Sequence, residues 1–155
     1  MQAAACSPAG WRFDPTPHAT ARIDTIHDAM YYGIEHTGIA SSNPERLAQW
    51  YVDTLGFIIN YRSESSRAHF VKAPNGSMIE IILADGELAT PRMKDPGLRH
   101  LAIAVKDFDA ALAGLREKGV KFLGEPAESK GNRVVFFADA DGNIVHLIHR
   151  DKPLP

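Results

Sequence analysis

The sequence contains a single cysteine, Cys6, so an internal disulfide framework is excluded and a reducing compartment is favoured. It also lacks any apolar run of the roughly 18 residues that a membrane-spanning helix requires. The first residues have neither the charged region nor the long apolar region of a signal peptide. These absences predict a cytoplasmic protein with no membrane partner.

An excess of charge of one sign is missing as well. The chain has 17 basic and 19 acidic residues, which gives a formal net charge of −2, and neither sign forms a long block. Nucleic-acid binding needs a basic patch or stripe, so no nucleic-acid partner is expected. The sequence also lacks a glycine-rich phosphate loop, a His-Glu-x-x-His motif and a Gly-x-Ser-x-Gly motif. The expected partner is a small-molecule substrate.

Hydrophobic residues make up 45% of the 155 positions, which is enough for a substantial core. They are unevenly arranged along the chain. Residues 1–29 contain three prolines and no sustained apolar period, whereas periodic patterns begin at about residue 30. We therefore predict a flexible N-terminal extension over 1–29 and a folded domain over 30–155.

The folded part contains the same pattern twice, in modules 30–84 and 98–150. His36-Thr-Gly-Ile-Ala in the first matches His100-Leu-Ala-Ile-Ala in the second, and Asn75-Gly-Ser-Met-Ile-Glu matches Asp141-Gly-Asn-Ile-Val-His. Each module is predicted to run strand, helix, strand, strand, strand. The first has strands near 32–40, 57–63, 67–73 and 78–84 with a helix beginning at Asn43-Pro44, and the second has strands near 98–105, 120–123, 133–138 and 143–149 with a helix beginning at Asp107.

Four polar residues occupy matched strand positions in this repeat. Because side chains alternate between the two faces of a strand, each shares its face with small or medium neighbours, while large aliphatic residues share the other face. The four are His36, Glu80, His100 and His146. His149 lies an odd number of residues from His146, so it has the opposite strand parity and is expected to face a helix. If they converge, three imidazoles and one carboxylate would suit a divalent metal, and structural or solvent-facing roles are the alternative.

These motifs resemble the vicinal oxygen chelate superfamily, which includes glyoxalases, epimerases, extradiol dioxygenases and antibiotic resistance proteins. The resemblance covers about residues 32–150 and also rests on Trp50-Tyr-Val-Asp-Thr-Leu-Gly-Phe and Asp139-Ala-Asp-Gly-Asn-Ile-Val-His. It implies an α+β fold of two repeated βαβββ modules, forming a curled mixed sheet around a metal site. By position it implies His36, Glu80, His100 and His146 as ligands of Zn, Ni, Co, Mn or Fe.

The resemblance also implies function and assembly. It suggests a homodimer and a metal-dependent lyase or isomerase of the glyoxalase type, which would hold a small oxygenated metabolite by bidentate chelation. His146 and His69 are the predicted catalytic residues, although glyoxalases usually have glutamate where this chain has His146. An iron-dependent ring-cleaving dioxygenase and a non-catalytic drug- or metabolite-sequestering protein are the alternatives. The sequence leaves open whether the site lies within one chain or between two.

Overall fold

A computed structural model describes residues 33–87 and 92–154, so the predicted extension over 1–29 lies outside the described residues. The first module contains β1 (His36–Ser41), α1 (Pro44–Leu55), β2 (Ile58–Arg62), β3 (His69–Lys72) and β4 (Met78–Leu83). The second contains β5 (His100–Ala104), α2 (Phe108–Glu117), β6 (Ala127–Ser129), β7 (Asn132–Ala138) and β8 (Ile144–Arg150). The predicted order of elements is therefore present in both modules.

Each module forms its own four-stranded mixed sheet. The strand order is β1-β4-β3-β2 in the first sheet and β5-β8-β7-β6 in the second. In both, the first strand of the module runs parallel to the last, and the remaining pairs are antiparallel. The predicted α+β architecture of two repeated βαβββ modules is confirmed.

The helices begin where their capping residues predict. The Asn43 side chain accepts a hydrogen bond from the backbone N–H of Arg46 at 3.1 Å, and Asp107 accepts one from Ala110 at 2.9 Å. Gly56 ends α1 in the left-handed conformation, with φ 69°, which a glycine adopts without steric cost. The same local signals that mark the helices in the sequence therefore position them in the fold.

Each helix covers one face of a sheet with large apolar side chains. The first core contains Leu47, Tyr51, Val71, Ile79 and Ile81, and the second contains Leu112, Leu115, Val135, Phe137, Val145 and Leu147. Burial of each such side chain stabilises the fold by about 1.5–3 kcal/mol relative to its exposure. Trp50 and Leu55 of α1 pack against both cores, which joins the two modules.

One predicted strand is wrong. Residues 120–123 form only an isolated bridge, between Phe122 and Phe137, and the strand that pairs with β7 is β6 at Ala127–Ser129. Gly124 and Pro126 separate the two stretches, and proline has no N–H to donate to a ladder. Pairing with β7 therefore stops after the bridge and resumes beyond the proline.

A buried polar network joins α1 to the turn between β7 and β8. The Tyr51 hydroxyl donates to the Asp139 carboxylate at 3.1 Å, and that carboxylate also accepts from the backbone N–H groups of Asp141 and Asn143 at 2.9 Å each. Burial raises the pKa of Tyr51, so the hydroxyl keeps its proton and remains a donor. Nearby, Arg46 of α1 forms an ion pair with Asp141. The network fixes the position of the first module against the second.

Replacing Asp139 with alanine is expected to lower the free energy of unfolding by about 2–4 kcal/mol, because several buried donors would lose their acceptor. Urea-induced unfolding of the full chain measures this loss. Asp53→Ala is the matched control, since among the described residues its carboxylate accepts only from the exposed Gln49 side chain, and it should change the value by less than about 0.5 kcal/mol. Equal stability of the two variants would contradict a joining role for the network.

Candidate metal centre

The first pair of predicted ligands lies on the helix-free face of the first sheet. His36 is at the start of β1 and Glu80 is in the middle of β4, with the His36 Nε2 atom 3.1 Å from a Glu80 carboxylate oxygen. The other ring nitrogen, Nδ1, hydrogen-bonds to Glu35, and this contact is the main reason that the pKa of His36 is raised. Glu35 therefore orients the ring so that Nε2 points towards Glu80.

The second pair lies on the corresponding face of the second sheet. The ring centroids of His100 and His146 are 4.8 Å apart, and Phe136 lies 4.8 Å from His146. Both ring nitrogens of His146 are buried, and neither makes a hydrogen bond within residues 33–87 and 92–154. Burial is the main cause that lowers the pKa of His146, so the imidazole favours its neutral form.

An imidazole without a partner fits a metal ligand. A buried polar group that lacks a hydrogen bond costs roughly 1–3 kcal/mol, so such groups usually have a partner or a function. Metals bind the neutral form of histidine, which is the form that the His146 environment favours. The donor set of three imidazoles and one carboxylate also matches the ligands of Zn²⁺ and similar divalent ions.

The two pairs do not meet within one chain. Among the residues that the structure describes, no group of three or more histidine, cysteine, aspartate or glutamate side chains is placed to hold one ion. The edge strands β1 and β5, which carry His36 and His100, are exposed on these faces. His36, Gly38 and Ala40 on β1 are exposed, as are His100 and Ala102 on β5. Each chain thus presents two candidate half-sites, the pair His36–Glu80 on the first sheet and the pair His100–His146 on the second.

The other two predicted positions lie on the helix-covered faces. His69 is 9% exposed, is in register with Ile81 of the first core, and donates from Nδ1 to the Arg67 carbonyl at 3.1 Å. His149 donates from Nδ1 to the Val105 carbonyl at 3.1 Å, as its parity predicts. The structure therefore separates His69 from His36 and Glu80 by the thickness of the sheet.

Sequence reasoning missed several residues that share the open faces. Phe70 packs edge-on against His36 with centroids 5.4 Å apart, and Phe136 packs edge-on against His100 at 6.0 Å. Arg150 lies beyond His146 on the same face of β8. Strand parity could have placed all three, because Phe70 alternates with His69 and Arg150 follows His146 by four residues.

Comparison with known proteins identifies relatives of this chain. The sequence profile described as "Glyoxalase/Bleomycin resistance protein/Dioxygenase superfamily" matches residues 33–147. The uncharacterized protein YwkD of Bacillus subtilis (strain 168) is 35% identical over 116 residues, which cover 70% of this chain and 89% of YwkD. The 2-epi-5-epi-valiolone epimerase of Actinomyces sp is 38% identical over 81 residues, which cover 48% of this chain and 44% of the epimerase.

A solved structure shares the fold. The crystal structure of TnmS3, an antibiotic binding protein from Streptomyces sp. CB03234, superposes with a TM-score of 0.62 at 28% sequence identity. The match covers 79% of this chain and 99% of TnmS3. Within the described residues, neither helix has the length and apolar character needed to cross a membrane.

Proposed function

The chain belongs to the glyoxalase/bleomycin resistance protein/dioxygenase superfamily, and within it we propose a metal-dependent lyase or isomerase that acts on a small oxygenated metabolite. His36, Glu80, His100 and His146 would hold one divalent ion, which can be Zn, Ni, Co, Mn or Fe. When bound, the ion would serve as a Lewis acid that accepts two neighbouring substrate oxygens and stabilises negative charge on them. A cytoplasmic location is part of the proposal.

The observation that supports this function best is the state of His146. The residue is half-buried, both ring nitrogens are buried and unpartnered in the described part of the chain, and burial lowers the pKa of the imidazole. A neutral, unpartnered imidazole can bind a metal, and it can also accept a proton at a ring nitrogen. We assign both roles to His146, in place of the glutamate that glyoxalases usually have there, but at different stages. A neutral imidazole has only one nitrogen with a free lone pair, so His146 would hold the ion first and would accept a proton only after that nitrogen leaves the metal.

The surrounding residues orient the ligands and limit water. Glu35 accepts the Nδ1–H of His36, which leaves Nε2 as the nitrogen that faces Glu80. Phe70 and Phe136 lie against the histidines of their own half-sites and reduce the access of water to them. His69 lies on the other face of the sheet, and we assign it to packing under α1 instead of catalysis.

The proposed site is shared between two chains. Each chain offers the pair His36–Glu80 and the pair His100–His146 on open faces, and the described residues of one chain do not form a complete ligand set. In a homodimer, the first sheet of one chain can face the second sheet of the other. Such pairing would cover both open faces and give two complete sites per dimer.

Experiment can distinguish the proposed function from its two alternatives, ligand sequestration and dioxygenase activity. The similarity to an antibiotic binding protein favours sequestration as the second candidate, and the superfamily also contains dioxygenases. The metal content of the purified full-length protein is measured first, and the metal-loaded protein is then screened with hydroxyketones, thiol conjugates and catechols. Turnover of a hydroxyketone or thiol conjugate without oxygen uptake supports the proposal. Catechol cleavage with oxygen uptake, or tight ligand binding without metal and turnover, would contradict it.

Metal is expected to stabilise the folded protein. A ligand that binds only the folded state at about 100 times its Kd adds roughly 2.7 kcal/mol of stability, which corresponds to a rise of about 5–10 °C in Tm for a chain of this size. Calorimetry of the chelator-treated protein, with and without added Zn²⁺ or Ni²⁺, measures the rise. The Glu80→Gln variant is the control and should show a much smaller rise. Equal rises in both proteins would place the metal elsewhere.

A further inference from the structure

A cleft of ≈ 340 Å³ extends along the open face of the second sheet, between β6, β7 and β8. His146 lies at one end of this β7–β8 cleft, and Arg150 lies at the other end, four residues later on the same strand face. At about 3.3 Å per residue, the two positions are separated by about 13 Å. The cleft therefore begins at a proposed metal ligand and ends at a cation.

The floor between the two ends is apolar. Phe136 is in register with His146, and Val134 is in register with Ile148, so these side chains share the face of the cleft. Polar groups are absent from this stretch of the lining. A hydrocarbon chain or an aromatic ring would bury apolar area there, whereas a charged group in the middle would lose hydration without gaining a partner.

The far end of the cleft is positively charged. The Arg150 guanidinium donates one N–H to the Asn132 side-chain oxygen at 2.9 Å, and no carboxylate lies within ion-pair distance of it among the described residues. Its remaining N–H groups and the Asn132 amide nitrogen are available as donors. Lys130, in the turn between β6 and β7, also lines this end.

The one acidic residue that borders the cleft does not neutralise this charge. Glu128 is in register with Arg133, and its carboxylate lies 3.7 Å from the Arg133 Nε atom. Arg133 in turn forms two hydrogen bonds with Asp109 of α2, so this cluster lies on the helix side of the sheet. The open face therefore keeps an excess of positive charge at Arg150 and Lys130.

From this arrangement we infer that the substrate is an elongated acid, which carries a carboxylate at the end opposite its metal-binding oxygens. Arg150, held by Asn132, binds that carboxylate, and the middle of the molecule lies over Phe136, Val134 and Ile148. A guanidinium with free N–H groups binds a carboxylate through two parallel hydrogen bonds. This inference rests on the proposed function, because it uses the metal site as the anchor for the other end.

Two probes that differ only in the distal charge test the inference. Suberic acid monohydroxamate has a chelating hydroxamate at one end and a carboxylate at the other, and its methyl ester lacks the negative charge. Calorimetric titration of the metal-loaded full-length protein gives a Kd for each. The acid is expected to bind about tenfold more tightly than the ester, as for a charged hydrogen-bonded pair that is partly exposed to solvent.

The Arg150→Gln variant should lose this preference by weakening the acid alone, while the Kd of the ester stays unchanged. Arg116→Gln removes an exposed arginine of α2 and should keep the preference. Equal binding of acid and ester to the wild type would overturn the inference and leave the metal site intact. Equal weakening of both probes in Arg150→Gln would assign Arg150 a structural role and also overturn it. A protein that takes up no metal would contradict the proposed function and this inference together.

Discussion

Replacing His100 with alanine is expected to remove most of the bound metal from the purified protein. In the proposed site, His100 supplies one of three imidazoles, and its ring lies 4.8 Å from that of His146. Replacement of a partner that only orients a ligand typically lowers metal affinity about 10–100-fold. The loss of a direct ligand should therefore lower it by at least roughly 100-fold. Elemental analysis and equilibrium titration with Zn²⁺ or Ni²⁺ measure the effect.

His149→Ala is the matched control for this experiment. His149 is on the same strand as His146, but it faces the other side of the sheet and donates to the Val105 carbonyl. Its replacement should leave the metal content near the wild-type value. His100 is exposed, so its alanine variant should fold, which circular dichroism can verify. Equal metal content in His100→Ala and wild type would remove His100 from the site.

Mixing two metal-deficient variants is expected to restore binding if the site is shared between chains. His36→Ala removes a proposed ligand from the half-site on the first sheet, and His100→Ala removes one from the half-site on the second. A mixed dimer would pair the intact first sheet of one chain with the intact second sheet of the other. Random exchange gives mixed dimers for about half of the population, each with one intact site, so metal content should reach about a quarter of the wild-type value.

The control for exchange is a mixture of His36→Ala with Glu80→Gln. Both changes lie on the first sheet, so every dimer formed from these chains lacks an intact first half-site, and metal content should stay low. Differently tagged chains show by co-purification that exchange has occurred. No recovery in the His36→Ala and His100→Ala mixture, despite proven exchange, would place each site within one chain.

The repeat in the sequence predicts the fold because it consists of local signals. Asn43 and Asp107 cap the helices as predicted, and the strand alternation correctly separates the aliphatic faces from the faces with His36 and His146. The strand predicted over 120–123 is the exception. There the apolar residues Val120 and Phe122 indicate a strand, but pairing with β7 is interrupted between Phe122 and β6, at Gly124 and Pro126, and a single sequence does not show which of the two stretches forms the regular strand.

The candidate site is only partly predictable from sequence. Parity places His36 and Glu80 on one face, and it places His149 on the opposite face from His146. It does not show which faces of different sheets meet, because that depends on how the modules pack. The three-dimensional structure is needed to show that the two pairs of candidate ligands are separate. It is also needed to show that Arg150 and Asn132 are hydrogen-bonded in the β7–β8 cleft.

His69 illustrates the same limit. Its place in the middle of a β-like segment indicates a strand residue, and the third strand does begin there. The sequence alone does not decide which face of that strand is covered by α1. In the fold, Val71 and His69 face the helix side, while Phe70 faces the open side next to His36. Phe70, the neighbour of the predicted residue His69, therefore lines the candidate site.

The most direct test of the central claim is the anomalous diffraction signal of a crystal of the metal-loaded, full-length protein. The account predicts one metal peak per chain, bound by His36 and Glu80 of one chain and by His100 and His146 of a second chain. All four side chains should lie within about 2.0–2.2 Å of the ion. A peak bound by one pair alone, by other residues, or by all four residues of a single chain would contradict it.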